Sequence, residues 1–81
     1  MQVRVRLFAS LREAVGQERL SLELPEGASV EDAWRGLTSR HPALEPQRKS
    51  LAAAVNRTYA SFDAALREGD EVVFIPPVSG G

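Results

Sequence analysis

The sequence predicts an α+β domain in which one mixed sheet carries a single main helix packed on one face. Three observations lead there. The opening "MQVRVRLF" alternates apolar and polar residues with a period of two, as a half-buried strand does. In "ASVEDAWRGLTSRHP", Val30, Ala33, Trp34 and Leu37 fall on one stripe at helical spacing. Near the end, "EVVFI" is a short apolar run between a Glu68-Gly69-Asp70 loop and two prolines. One sheet beneath one dominant helix is the economical layering of such elements.

Along the first strand, Val3, Val5 and Leu7 point one way, and Gln2, Arg4, Arg6 and Phe8 the other. "ASLREAVG" predicts a short helix with Ser10 as N-cap, Glu13 at capping-box spacing and Gly16 as its stop. Leu11, Ala14 and Val15 give it an apolar side. "RLSLELPEG" alternates again through Leu20, Leu22 and Leu24, then turns at Pro25-Glu26-Gly27. Ser29 caps the main helix with Asp32 in the reciprocal position, and Pro42 ends it. Gly36 weakens that helix by about 1 kcal/mol relative to alanine and marks a point of close packing. "ALEPQRKS" is polar and reads as a loop or a single helical turn. "LAAAVNRTYA" reads as a hairpin about Asn56-Arg57, because asparagine tolerates the left-handed backbone of such turns. "FDAALREGDEVVFI" is expected to hold a short turn of helix, a loop at Glu68-Gly69-Asp70 and the final strand. The expected core is Val3, Val5, Leu7, Leu22, Val30, Ala33, Leu37, Val72 and Phe74, with Trp34 at least partly buried.

Strand, short helix, strand, long helix, two short strands, final strand is the element order of a β-grasp, or ubiquitin-like, domain. A ferredoxin-like split βαβ fold is the main rival, but it needs a second full-length helix that this sequence lacks. Residues 1–75 are expected to form the β-grasp domain and 76–81 an extended tail ending in Gly-Gly.

Composition narrows the function. The 81 residues make one domain. With a net charge of −1 and no basic run, a nucleic-acid partner is not expected. The apolar stretches are too short to span a bilayer, and no signal-peptide pattern opens the chain, so a cytoplasmic protein without membrane contact is expected. Absence of cysteine excludes a disulfide framework, an iron–sulfur cluster and a cysteine nucleophile, and a single histidine argues against structural zinc. His41, between Arg40 and Pro42, reads as a structural residue at a helix exit. The sequence has no Ser/His/Asp set and no phosphate-binding loop after a strand, so neither catalysis by its own side chains nor a bound cofactor is expected.

Two features exceed what folding needs. The final strand is apolar on both sides, Val72 and Phe74 on one and Val73 and Ile75 on the other, yet the chain has helix enough to cover one face. Phe8 also projects away from Val3, Val5 and Leu7. Phe8, Tyr59, Val73 and Ile75 are therefore expected to form an apolar patch for a partner on the face away from Trp34, with Arg12 at its border to pair with an acidic group. The second feature is the end, "FIPPVSGG". Pro76 and Pro77 lack backbone donors and stiffen the root, while Ser79, Gly80 and Gly81 keep the tip thin enough to thread a narrow channel.

On "LFASLRE" with Gly16, "AAVNRTYASFD" and "GDEVVFIPPVSGG", the chain resembles, over its full length, the small subunits of molybdopterin synthase, a family of ubiquitin-like sulfur carriers. The resemblance implies that Gly81 is the reacting group, adenylated by an ATP-dependent activating enzyme of the E1-like type and converted to a thiocarboxylate (1-thioglycine) by a sulfur donor protein. Gly80 then gives clearance. Phe8, Arg12, Tyr59, Val73, Ile75, Pro76, Pro77, Val78 and Ser79 are expected to meet the large subunit, in what the resemblance implies is an assembly of two small and two large subunits. The sulfur goes into the molybdopterin dithiolene. Val73 stands where the family more often has alanine, and Ile75 where an aromatic is common; both keep the patch apolar. Alternatives are a carrier for thiamin thiazole or for transfer-RNA thiolation, a non-covalent ubiquitin-like binding module, and a protein tag conjugated to lysines. Thiazole carriers are usually shorter and lack the early helix and the double proline, which favours molybdopterin.

Overall fold

A computed structural model describes residues 1–77. Five strands, β1 (Gln2–Leu7), β2 (Arg19–Glu23), β3 (Ala52–Val55), β4 (Thr58–Ala60) and β5 (Glu71–Ile75), form one sheet in the order β2-β1-β5-β3-β4. The central pair β1–β5 is parallel, and the other pairs are antiparallel. A parallel pair requires a long crossover, and the 63 residues numbered 8–70 that supply it include both helices, α1 (Ala9–Val15) and α2 (Val30–Arg40).

Helix α2 forms where its stripe of Val30, Ala33, Trp34 and Leu37 can be buried, and all four are. They pack with Val3, Val5, Leu7, Leu22, Val72 and Phe74 in one core on one side of the sheet, so every expected core residue is buried there, and Leu11, Leu24, Ala28, Leu44, Leu51, Ala53 and Leu66 extend it. Trp34 is fully buried and meets the Phe74 ring edge-on, with Phe62 against the other side of Phe74. Gly36 lies over Leu22 and Leu24, where an added Cβ would stand 3.5 and 3.6 Å from their methyls, an ordinary contact. Packing there is close without requiring glycine.

Every early amide of α2 is satisfied. The Ser29 N–H donates to the Asp32 carboxylate at 2.9 Å, and the Asp32 N–H donates back to Ser29 Oγ at 3.2 Å, the expected capping box. Val30 and Glu31 donate to the carbonyls of Ala64 and Phe62 at 3.0 and 2.8 Å. These bonds explain a departure from the sequence reading. Residues 61–65 make turns and a single bridge, Ser29 to Ala65, in place of the expected turn of helix. Their carbonyls point at the N-terminus of α2 and cannot also serve a helix of their own.

Two further expectations are corrected. Helix α1 begins at Ala9, with Phe8 in the N-cap position and no side-chain cap, so Ser10 lies inside the first turn. Leu7 and Leu11 are both fully buried, and this leaves no slack for a longer link between strand and helix. The Phe8 carbonyl accepts from the Leu11 and Arg12 amides at 3.1 and 3.4 Å instead. Gly16 does end the helix, in the left-handed conformation at φ 84°. The segment expected to be a loop or single turn is a nine-residue 3₁₀ helix, Pro42–Ser50. Pro42 presets its first turn, buried Leu44 anchors it to the core, and Arg48 ties it to Glu31. The hairpin about Asn56-Arg57 is as expected: both residues have positive φ, 50° and 71°, the type I′ pattern that matches strand twist.

Candidate functional site

Residues paired in register share a face of a sheet. Arg19, Arg6, Val73, Ala54 and Tyr59 therefore form one row across all five strands. Its neighbours along the strands, Val5, Val72, Phe74 and Ala53, are buried in the core, so the row occupies the side away from Trp34. Two residues along, Ile75 lies opposite Ala52, and Phe8 follows directly on the Leu7–Phe74 pair. Two residues the other way come Ser21, Arg4 and Glu71. The outer face thus grades from an apolar strip on β5, β3 and β4 to arginines on β1 and β2.

Within the strip, Tyr59 is 78% exposed and Phe8 38%, while Val73 and Ile75 are half-buried. Among the described residues no helix covers them. The Arg6 guanidinium lies over the Phe8 ring, 5.1 Å from its centroid. Arg12 is exposed on α1, four residues after Phe8, and its Nη1 stands 3.6 Å from Glu18 Oε1. Arg6 and Arg19 approach the same carboxylate at 3.7 and 3.8 Å, so three arginines share Glu18. Such long, exposed pairs are worth about 1 kcal/mol or less and exchange readily for a better partner.

Strand β5 runs directly toward the tail. It ends at Ile75, followed by half-buried Pro76 and exposed Pro77. Neither proline can donate to a neighbouring strand, so the ladder stops there. Val78, Ser79, Gly80 and Gly81 lie outside the described residues. His41 is at the C-cap of α2, half-buried, its amide donating to the Leu37 carbonyl at 3.0 Å. Among the described residues no group of three His, Asp or Glu side chains could hold a metal ion, and no helix is long and apolar enough to cross a membrane. The outer face of the described residues is apolar along β5, β3 and β4 and cationic at its flank.

The sequence reading missed the cationic flank. Arg4 and Arg6 are already visible as the outward positions of "VRVRL", but Arg19 and Glu18 join them only through strand pairing.

The strand order with one long helix on one face defines a β-grasp, ubiquitin-like protein. The chain belongs to the ThiS family, whose model matches residues 5–81. A molybdopterin synthase sulfur carrier subunit from Chlamydomonas reinhardtii is 41% identical over 83 residues, covering 100% of both chains. Among solved structures, SAMP1 from Haloferax volcanii superposes with a TM-score of 0.89 at 32% identity, again covering 100% of both chains. The same fold recurs in a protein–protein complex of subunits 1 and 2 of molybdopterin-converting factor from Helicobacter pylori, with a TM-score of 0.69 at 23% identity over 100% of both chains.

Proposed function

We propose that this chain is the sulfur carrier subunit of molybdopterin synthase and that it works in the cytoplasm. The observation that carries the reading is the full-length 41% identity to a protein of that name. An unpartnered apolar strip on the strand that leads into the tail supports it.

The chemistry follows from the terminal carboxylate. With a typical pKa of about 3.3–3.7 it is ionised at neutral pH, and an ionised carboxylate is a poor electrophile. ATP converts it to an acyl adenylate on an E1-like activating enzyme, releasing pyrophosphate. Sulfide released by the donor protein attacks the carbonyl carbon as HS⁻ and displaces AMP, leaving a thiocarboxylate on Gly81. The large subunit grips the strip of Phe8, Tyr59, Val73 and Ile75, with Arg12 at its rim, and two large and two small subunits assemble. The sulfur then attacks an electrophilic carbon of the pterin precursor as an oxygen substituent leaves it, and water cleaves the resulting thioester, leaving the sulfur on the pterin and restoring the carboxylate. The tail spans residues 76–81 in this scheme. Pro76 and Pro77 hold it off the sheet, Val78 and Ser79 bind the large subunit, and Gly80 gives clearance. Stiffness at its root lowers the entropy lost when the tail is gripped.

An intact mass of the protein isolated from its own cells tests this reading. A species heavier by one sulfur-for-oxygen exchange at the C-terminal residue is expected, and a population without it under conditions of molybdopterin synthesis would contradict the proposal.

A further inference from the structure

We infer that the cationic half of the outer face is a second recognition element, a hollow that receives the carboxylates of an acidic segment on a protein partner. This deepens the carrier reading and rests on it for the partner being a protein. The hollow has a volume of about 440 Å³ and is lined by Arg4, Arg6, Arg19, Ser21, Arg57 and Glu71. Four cations face one anion there, in a chain whose net charge is −1.

The arrangement runs against what folding alone favours. Arg6 and Arg19 are directly opposite in the β1–β2 register, and like charges in that relation destabilise an antiparallel pair. Their shared counter-ion, Glu18, lies no nearer than 3.7 Å and also serves Arg12. Arg6 Nε is buried and has no hydrogen-bond partner among the described residues. In return Arg6 has only a long pair with Glu18 and the face of Phe8, and a local rule broken for so little internal gain is where a binding role is expected.

Geometry favours an extended acidic segment over a compact anion. The cations come from β1, β2 and the β3–β4 turn, and Glu71 stands among them, so they do not converge on one point. Arg4 already spends one donor on the Gly69 carbonyl at 3.4 Å. Several carboxylates spaced along a chain can meet such a spread of guanidiniums one by one, each through a charge-assisted bond. Continuity supplies the rest of the argument. The row Arg19–Arg6–Val73–Ala54–Tyr59 joins the hollow to the apolar strip, so a partner that covers Val73 extends over Arg6. Charges at such a rim act mainly on the association rate.

Two measurements on the full chain test this. In the first, ¹⁵N-labelled protein is titrated at low ionic strength with a hexaglutamate peptide and, separately, with inorganic phosphate. Peptide-induced shifts at Arg4, Arg6, Arg19, Ser21 and Arg57, lost in the Arg19→Ser/Arg57→Ser double variant, are expected. An absence of shifts, shifts centred elsewhere, or equal saturation by phosphate would overturn the inference. In the second, association with the large synthase subunit is followed as salt is raised. The double variant should slow association about tenfold at low salt, flatten the salt dependence and leave dissociation nearly unchanged. Unchanged association kinetics overturn the hollow and leave the carrier reading standing. If the wild type fails to bind the large subunit at all, the carrier reading falls and takes the protein-partner assignment with it.

Discussion

The indole of Trp34 and the ring of Phe74 meet edge to face, their centroids 5.2 Å apart and their planes at 70°, between the middle of α2 and the middle of the sheet. Such a pair is worth about 0.5–1.5 kcal/mol beyond the area it buries. Phe74 also stacks against Phe62 at 6.1 Å, so one side chain joins helix, sheet and the 61–65 segment. Phe74→Ala should therefore cost about 3–5 kcal/mol. A domain of this size has little more than that to lose. Urea denaturation of the variant checks it; a change below about 1 kcal/mol would place the core elsewhere.

The next residue along behaves in the opposite way. Ile75 is half-buried on the other face, level with Ala52 and Phe8, where no helix packs among the described residues. Ile75→Lys should leave the circular dichroism spectrum intact and move the melting temperature by only a few degrees. Binding to the large subunit should weaken by at least tenfold, mainly through faster dissociation, because apolar centres dominate such contacts. Unfolding of the isolated variant would make this face core.

Arg48 connects three elements. Its Nε and Nη2 donate to Glu31 Oε1 at 3.0 and 2.7 Å, and its guanidinium stacks 3.4 Å over the Phe62 ring. Each side chain of the ion pair is about one-third exposed, which screens the charge interaction. Arg48→Ala should cost about 1–2 kcal/mol, through lost stacking as much as lost charge. Amide exchange in the 3₁₀ helix should rise more than in β1. Arg48→Lys should recover little, because an ammonium offers neither the planar fork nor the stack.

Asp32 makes stability depend on acid. The backbone amide of Ser29, acting before the Ser29 hydroxyl and the nearby Arg35, holds its carboxyl below the usual range. A carboxyl lowered in the folded state contributes fully above its unfolded value, about 3.9, and that contribution disappears as pH falls through the lower folded value. Asp32→Asn should cost about 1 kcal/mol or less at neutral pH and flatten the decline in stability as pH falls below about 4. Parallel urea titrations of the two proteins would read this, and identical acid slopes would exclude Asp32 as a source of the decline.

Much of this was legible in the sequence, for identifiable reasons. Period-two alternation in β1 and β2, the Ser29–Asp32 spacing and the Asn56-Arg57 turn are local signals, and local chemistry decides them. The misread segments are those governed by distant parts of the chain. Pro42–Ser50 looks like a loop until Leu44 finds the core and Arg48 finds Glu31 and Phe62. Residues 61–65 look helical until their carbonyls are committed to α2. The same distinction holds on the outer face. Surplus apolar residues on β5 are visible along one strand, whereas the opposition of Arg6 and Arg19 exists only in the β1–β2 register.

Gly81 carries the central claim, and loading of that residue is its most direct measurement. The wild-type chain and a variant lacking only Gly81 are each incubated with the activating enzyme, ATP and the sulfur donor, and followed by pyrophosphate release and intact mass. The account predicts adenylation and a thiocarboxylate on the wild type, and neither on the shortened chain, with the two melting curves superimposable. A chain ending at Gly80 that is adenylated and loaded with sulfur at the wild-type rate would contradict it.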